Sequence, residues 1–173
     1  MRRLAVYCWA VGALIMTACV DTAHAQIVAL GASITAGKGV GSNVAWPARL
    51  EALLLARGYH VSVANAGISG DTTAGMLARL DSAVPSGTRL VVYAIIPGND
   101  ARHGISPAQH AANIQLIVSR LHSRGVRTIS VGNHISAALP RLSDGIHLTA
   151  EGHAQFAARI LPQVVAALGS ARY

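Results

Sequence analysis

Two stretches far apart in the chain carry residue types that could act on one substrate. The first is Ile27-Val28-Ala29-Leu30-Gly31-Ala32-Ser33-Ile34-Thr35-Ala36-Gly37. It begins as a continuous apolar run, suited to a strand buried on both faces of a parallel sheet. It then breaks into small residues around Ser33, with Gly31 and Gly37 on either side for a sharp turn. Ligands of open α/β sheets bind beyond the carboxyl ends of the strands, which is where this hydroxyl falls. The second stretch is Asp144-Gly145-Ile146-His147, a carboxylate three residues before an imidazole. Across a tight turn such a carboxylate reaches the inner ring nitrogen, fixes the tautomer and steadies an imidazolium. A hydroxyl, an imidazole and a carboxylate are the parts of nucleophilic acyl transfer, which also needs donors for an oxyanion. Taken singly, Ser33 is equally readable as a polar strand-end turn, and Asp144 and His147 as a surface turn.

An alternation of strands and helices should position these groups. Strands are expected at Ile27–Ala32, Val61–Ala64, within Thr88–Ile96, and at Arg127–Val131. Helices are expected at Trp46–Arg57, Thr72–Leu80, Pro107–Arg124 and Thr149–Leu168. Pro47 suits a first turn, Ser106 an N-cap, and Gly58 and Gly125 helix stops. Asn65–Asp71 reads as a turn, Pro97-Gly98-Asn99-Asp100 as the break after the third strand, and 132–145 shows no periodicity. This β-α alternation predicts a parallel sheet with helices on both faces and functional residues in the loops after the strands. Those loops hold Ser33, Gly67, Asn99 and the stretch before His147.

Four segments together resemble the SGNH hydrolases, also called the GDSL esterase–lipase family. They are Gly31-Ala32-Ser33-Ile34; Asn65-Ala66-Gly67-Ile68-Ser69-Gly70-Asp71-Thr72; Gly98-Asn99-Asp100; and Asp144-Gly145-Ile146-His147. They occur in the family's order and span nearly all of 26–173. The likeness is greatest to the exported bacterial thioesterase, arylesterase and lysophospholipase branch. The resemblance implies a three-layer α/β/α fold with a mostly parallel, flavodoxin-like sheet of four to five strands. It implies Ser33 as nucleophile, His147 as base and Asp144 as its orienting acid. The oxyanion hole would be the N–H groups of Ser33 and Gly67 with the Asn99 amide. The implied substrates are small molecules with carboxylic ester or thioester bonds, including aryl and acyl esters and lysophospholipids, of open acyl length; no cofactor and no metal are expected. The sequence departs from the family at Ala32, where aspartate is usual, and at Pro97, where glycine is frequent. It is also short between Asn133 and Asp144, where the family fits a further helix and the last strand.

Composition sets the compartment and excludes other classes. Of 173 residues, 52% are hydrophobic and 12% charged, so a packed domain is expected rather than disorder. Arg2 and Arg3, the apolar segment Leu4–Val20 and Ala23-His24-Ala25 read as a secretory signal peptide over 1–25, cleaved after Ala25 and leaving a domain at 26–173. The protein is then periplasmic or secreted. A weaker alternative is lipidation at Cys19, within Met16-Thr17-Ala18-Cys19. Cys8 and Cys19 are the only cysteines, and cleavage removes both, with any thiol or cysteine–zinc chemistry. The basic balance, +7 overall, is carried by scattered arginines, with aromatics at 4%. That argues against nucleic acid and for at most weak contact with anionic lipid surfaces. Gly31–Lys38 fails the phosphate-loop pattern, and Ser33 lacks the Gly-x-Ser-x-Gly elbow. Ser69 is an alternative nucleophile. His147, Glu151 and His153 are a conceivable metal set, but Glu151 and His153 also suit the first turns of a helix. A rival from another class is a non-catalytic acyl- or glycan-binding module on the same fold.

Overall fold

The structure is a computed structural model that describes residues 26–131, 135 and 137–169. The expected leader over 1–25, with Cys8 and Cys19, lies outside the described residues, as do Asn133 and His134. At the centre is β1 (Ile27–Gly31), whose five residues are all buried. It pairs in parallel with β2 (Val63–Gly67) on one side and β3 (Leu90–Ala94) on the other. β3 pairs in parallel with β4 (Arg127–Ser130), giving the order β2-β1-β3-β4. Gly31 stands opposite both Gly67 and Ala94. The loops after the three strands therefore leave the sheet at one level.

Because side chains alternate along a strand, β1 feeds two cores. Ile27 and Ala29 join Val63, Leu90 and Val92 under α2 (Trp46–Leu55) and α7 (Ala150–Leu168). Val28 and Leu30 join Val91 under α3 (Thr73–Ala78), α4 (Leu80–Ala83) and α6 (Pro107–Ser123). The result is the expected three-layer α/β/α arrangement with four parallel strands among the described residues. On the first face the Trp46 and Phe156 rings lie 5.0 Å apart. There the buried His153 Nδ1 accepts the Trp46 backbone N–H at 3.1 Å, satisfying a donor at the start of α2 that has no partner within the helix.

The differences from the expected elements lie near the loops. β2 begins two residues later than expected and takes in Asn65, Ala66 and Gly67, because pairing with β1 runs on to Gly31. Ser33 opens a short helix, α1 (Ser33–Ala36), closed by Gly37 at φ 82°. Pro97–Asp100 does not simply break the third strand; it starts α5 (Gly98–Arg102). Thr72, Ser106 and Thr149 cap α3, α6 and α7 with side-chain hydrogen bonds to Gly75, Gln109 and Gly152.

Candidate active site

Ser33 sits two residues beyond the end of β1. A Cβ on Gly31 would lie 2.2 Å from Thr35 Oγ1 and 2.9 Å from the Ala94 carbonyl oxygen. Only glycine lets the chain fold back so tightly there. Ser33 Oγ is 3.0 Å from His147 Nε2, and His147 Nδ1 is 2.6 Å from Asp144 Oδ2. A carboxylate only accepts, so Nδ1 carries the hydrogen and Nε2 is left to accept from the serine hydroxyl. Asp144 Oδ1 also accepts the backbone N–H groups of Ile146 and His147, at 2.8 and 2.9 Å. These bonds, led by the one from the His147 side chain, hold the Asp144 carboxyl well below the usual carboxylate range.

The short segment before Asp144 still delivers the pair, by a different local structure. Arg141 and Leu148 form an antiparallel bridge. Leu142 N–H donates to the His147 carbonyl at 2.8 Å, and Thr149 N–H to that of Pro140 at 3.1 Å. Gly145, at φ 68°, turns the tip. This hairpin rests on α7. A Cβ on Gly152 would lie 2.2 Å from the Pro140 carbonyl oxygen, so glycine permits the close approach. Arg159 donates to the carbonyls of Ile135 and Ala137 at 3.1 and 2.6 Å. Leu139 and Leu148 are buried in the core beneath.

Asn99 stands in the first turn of α5. Its Nδ2 donates to the Asp71 carbonyl at 2.8 Å, and its Oδ1 accepts from Arg102. Arginine only donates and a carbonyl only accepts, so this pair of partners fixes which way the amide faces. The neighbouring Asp100 is 2% exposed. It accepts from Thr73 N–H at 2.8 Å and Thr73 Oγ at 2.6 Å, and lies 2.8 Å from His110 Nδ1. Burial alone would raise its pKa; the Thr73 bonds and His110 outweigh it and lower the pKa. This buried junction ties α5 to α3 and α6.

Gly67 differs from expectation. It is the last residue of β2, packed against Thr35 and Ala36 of α1, and its N–H already donates to Asn65 Oδ1 at 3.0 Å. Gly67 therefore closes the sheet opposite Gly31 rather than opening a turn. Three residues on, Gly70 occupies the loop at φ 83°, and its N–H has no hydrogen-bond partner among the described residues. Ser69 is exposed on the same loop and lacks a histidine partner among the described residues. His147, Glu151 and His153 do not converge. His147 faces Ser33, Glu151 accepts from Gln155, and His153 points into the core at Trp46. Among the described residues no three His, Cys, Asp or Glu side chains are grouped to hold a metal.

Beside Ser33 lies a cavity of about 250 Å³. Ala32, Ile34, Ala94, Ile96 and Ile146 form its apolar wall, with Asn99 and Arg102 on the polar side. Ala32, where the family usually carries aspartate, thus adds a methyl group to this wall. The residues missed by sequence reading are the ones behind the site: Asp100 with its partners, Arg102 and Arg79. Asp100 was visible in the Gly98-Asn99-Asp100 segment. Arg79 gave no signal beyond an ordinary position in an expected helix, and Arg102 fell between expected elements.

A hydroxyl, imidazole and carboxylate in line at the carboxyl edge of a parallel α/β/α sheet define the class of protein: a serine–histidine–aspartate site on a flavodoxin-like sheet. The model of the GDSL-like lipase/acylhydrolase family matches residues 29–143, and the chain belongs to that family. The match stops one residue before Asp144. The chain is 34% identical to the esterase TesA of Pseudomonas aeruginosa over 122 residues, 70% of this chain and 61% of that one. It is 32% identical to an arylesterase of Vibrio mimicus over 107 residues, 62% of this chain and 54% of that one. A crystal structure of TesA shares the fold with a TM-score of 0.73 at 24% identity, over 82% of this chain and 98% of that chain. The chain spans about half the length of the curated relatives it matches, from 43% to 61%.

Proposed function

We propose that the protein is a serine esterase that hydrolyses small carboxylic esters or thioesters through an acyl-enzyme. The observation that carries this reading is the 3.0 Å contact of Ser33 Oγ with His147 Nε2, backed by the 2.6 Å contact of His147 Nδ1 with Asp144. Ser33 Oγ attacks the carbonyl carbon while its proton passes to His147 Nε2. The carbonyl oxygen becomes the oxyanion. His147 then gives the proton to the leaving alkoxide or thiolate, and the acyl group stays on Ser33. Water attacks that ester, its proton goes to His147, and the acid leaves as Ser33 regains a proton.

For the oxyanion, the Ser33 N–H lacks a partner within its helix because the residue opens α1. The Asn99 amide is the side-chain donor. The unpaired Gly70 N–H suits the remaining backbone share better than Gly67, whose N–H is engaged. The apolar cavity beside Ser33 would take the acyl or aryl group, and its roughly 250 Å³ favours a small one. Similarity to proteins named esterase and arylesterase supports the reaction class.

An activity-based fluorophosphonate and a panel of aryl esters, acyl thioesters and lysophospholipids test the proposal. Labelling should fall on Ser33, and Ser33→Ala should abolish both labelling and hydrolysis while Ser69→Ala keeps them. A folded protein that binds acyl ligands without labelling or turnover would instead be the non-catalytic module. We also propose export, with processing after Ala25. Amino-terminal sequencing of the exported protein should begin at Gln26, and a lipidated Cys19 would move the site to a membrane surface. Among the described residues no helix is long and apolar enough to cross a membrane.

A further inference from the structure

Arg79 follows α3, some distance in sequence from every group assigned above, yet its guanidinium touches three of the segments that build the site. Nε donates to Asp71 Oδ2 at 2.8 Å, and Nη2 reaches the same oxygen at 2.7 Å. Nη2 also donates to the Ala66 carbonyl at 2.9 Å and, at a longer 3.4 Å, to the Gly31 carbonyl. Gly31 ends β1 two residues before Ser33. Ala66 lies at the end of β2. Asp71 closes the loop that carries Gly70, and its own carbonyl receives Asn99 Nδ2 at 2.8 Å.

We infer that Arg79 is a positioning residue for the oxyanion donors, a role that rests on the esterase reading above. Its planar fork joins the ends of β1 and β2 to the Asp71 loop, and that loop in turn sets where Asn99 points. The site is built for this fork. The side chains of Arg79 and Asp71 are only 19% and 10% exposed. Asp71 Oδ1 accepts Thr72 N–H at 2.9 Å, so the carboxylate is held at both oxygens. A Cβ on Gly75 would lie 2.1 Å from Asp71 Oδ1, so only glycine lets α3 lie this close to it. An exposed ion pair could be exchanged for another with little effect. A half-buried fork that also binds two backbone carbonyls cannot. Lysine would keep the charge, but as a point charge on a flexible stem it cannot give Nε and Nη2 in one plane.

The test compares Arg79→Lys and Asp71→Ala with the wild type. Asp71→Ala removes the partner of Arg79 but keeps the carbonyl that holds Asn99. Both are measured for kcat and KM on an aryl ester, for thermal melting, and by NMR of the Asn99 side-chain amide. The expected result for Arg79→Lys is a folded protein with kcat reduced by about 10- to 10²-fold, KM nearly unchanged and shifted Asn99 amide signals. In an Asn99→Ala background the same change should cost much less, because the donor it positions is already gone. Wild-type kcat in folded Arg79→Lys overturns the inference, as does an undiminished loss in the Asn99→Ala background. If Arg79→Lys does not fold, Asp71→Ala must show the same split between kcat and KM. If neither folds, Arg79 is a folding residue and the assignment falls. Should the wild type not hydrolyse esters, it is the proposed function that fails, and the Asn99 amide signals still report whether Arg79 holds the loop.

Discussion

Asn99 is fixed from both ends of its amide, by Arg102 at Oδ1 and by the Asp71 carbonyl at Nδ2. Only one of the two Nδ2 hydrogens is used there, and the proposed mechanism gives the other to the substrate oxygen. That oxygen gains full charge only in the transition state, so the donor acts on turnover more than on binding. Asn99→Ala should therefore lower kcat by about 10²–10³ with little change in KM. If melting shows a folded variant with wild-type kcat, the side chain merely fastens the α5 turn to the Asp71 loop. Asp144 belongs to the same scale. Its carboxyl is held well below its usual range, so it stays ionised where a free aspartate takes up a proton, at about pH 4. The carbon-13 shift of the Asp144 carboxyl should therefore stay flat in the folded protein between about pH 5 and about pH 3. A titration with its midpoint at about pH 4 would mean that the bonds from His147 and Ile146 do not hold the carboxylate. Asp144→Asn should lose about 10⁴ in kcat through the wrong tautomer, measured on a folded variant. Ser33, Asp144 and His147 were legible because each sits in a short local pattern. Arg79 and Arg102 were not, because their meaning lies in contacts across the fold.

The elements explain why some boundaries moved. β1 was readable as a continuous apolar run, and α2 and α6 from Pro47, Ser106 and the glycine stops, whereas the short α1, α4 and α5 were not expected. β2 was readable only as far as Ala64, since Asn65-Ala66-Gly67 has turn composition and is drawn into the sheet by pairing with Ala29, Leu30 and Gly31. That override, which no local propensity reports, is what places Gly67 in the sheet rather than in a turn. The segment before Asp144 has no periodicity because its order comes from α7 and the core instead. Gly152→Ala tests this support. The added methyl meets a backbone oxygen, which has little freedom to move, so the change should cost on the order of 1–3 kcal/mol of stability. It should also slow Ser33 labelling by pushing the hairpin off α7. Arg159→Ala, at an exposed position, should slow labelling while lowering the melting temperature less. Equal labelling rates in both variants and the wild type would mean that the hairpin keeps Asp144 and His147 in place unaided.

At the scale of the whole molecule, the layered fold was predictable from the alternation of elements, whereas the buried His153 contact between α2 and α7 was not. Burial, with the nearby charge of Arg49, pushes the His153 imidazole down to about 4. An unfolded chain would take up that proton near its ordinary value of about 6.5. Between these two values the unfolded state binds more protons, so stability is full above about pH 6.5 and falls as pH drops toward about 4. Melting temperatures of the wild type and His153→Gln across that window test it: the wild type should lose stability more steeply. Parallel slopes would remove His153 as the cause.

The direction of the strands has a consequence for tethering. Every strand points its carboxyl end at Ser33, so Gln26, just before β1, lies at the opposite edge of the sheet. Five residues at about 3.3 Å each put most of the sheet's height between them. α7 starts three residues after His147 and runs back the other way, and the Ala167 carbonyl at its far end meets Arg127 at the start of β4. Both ends of the described chain thus leave on the side away from the catalytic edge. A carrier domain, an affinity handle or an immobilising support joined at Gln26 would hold the protein by its base and leave the mouth of the cavity facing outward to arriving substrate.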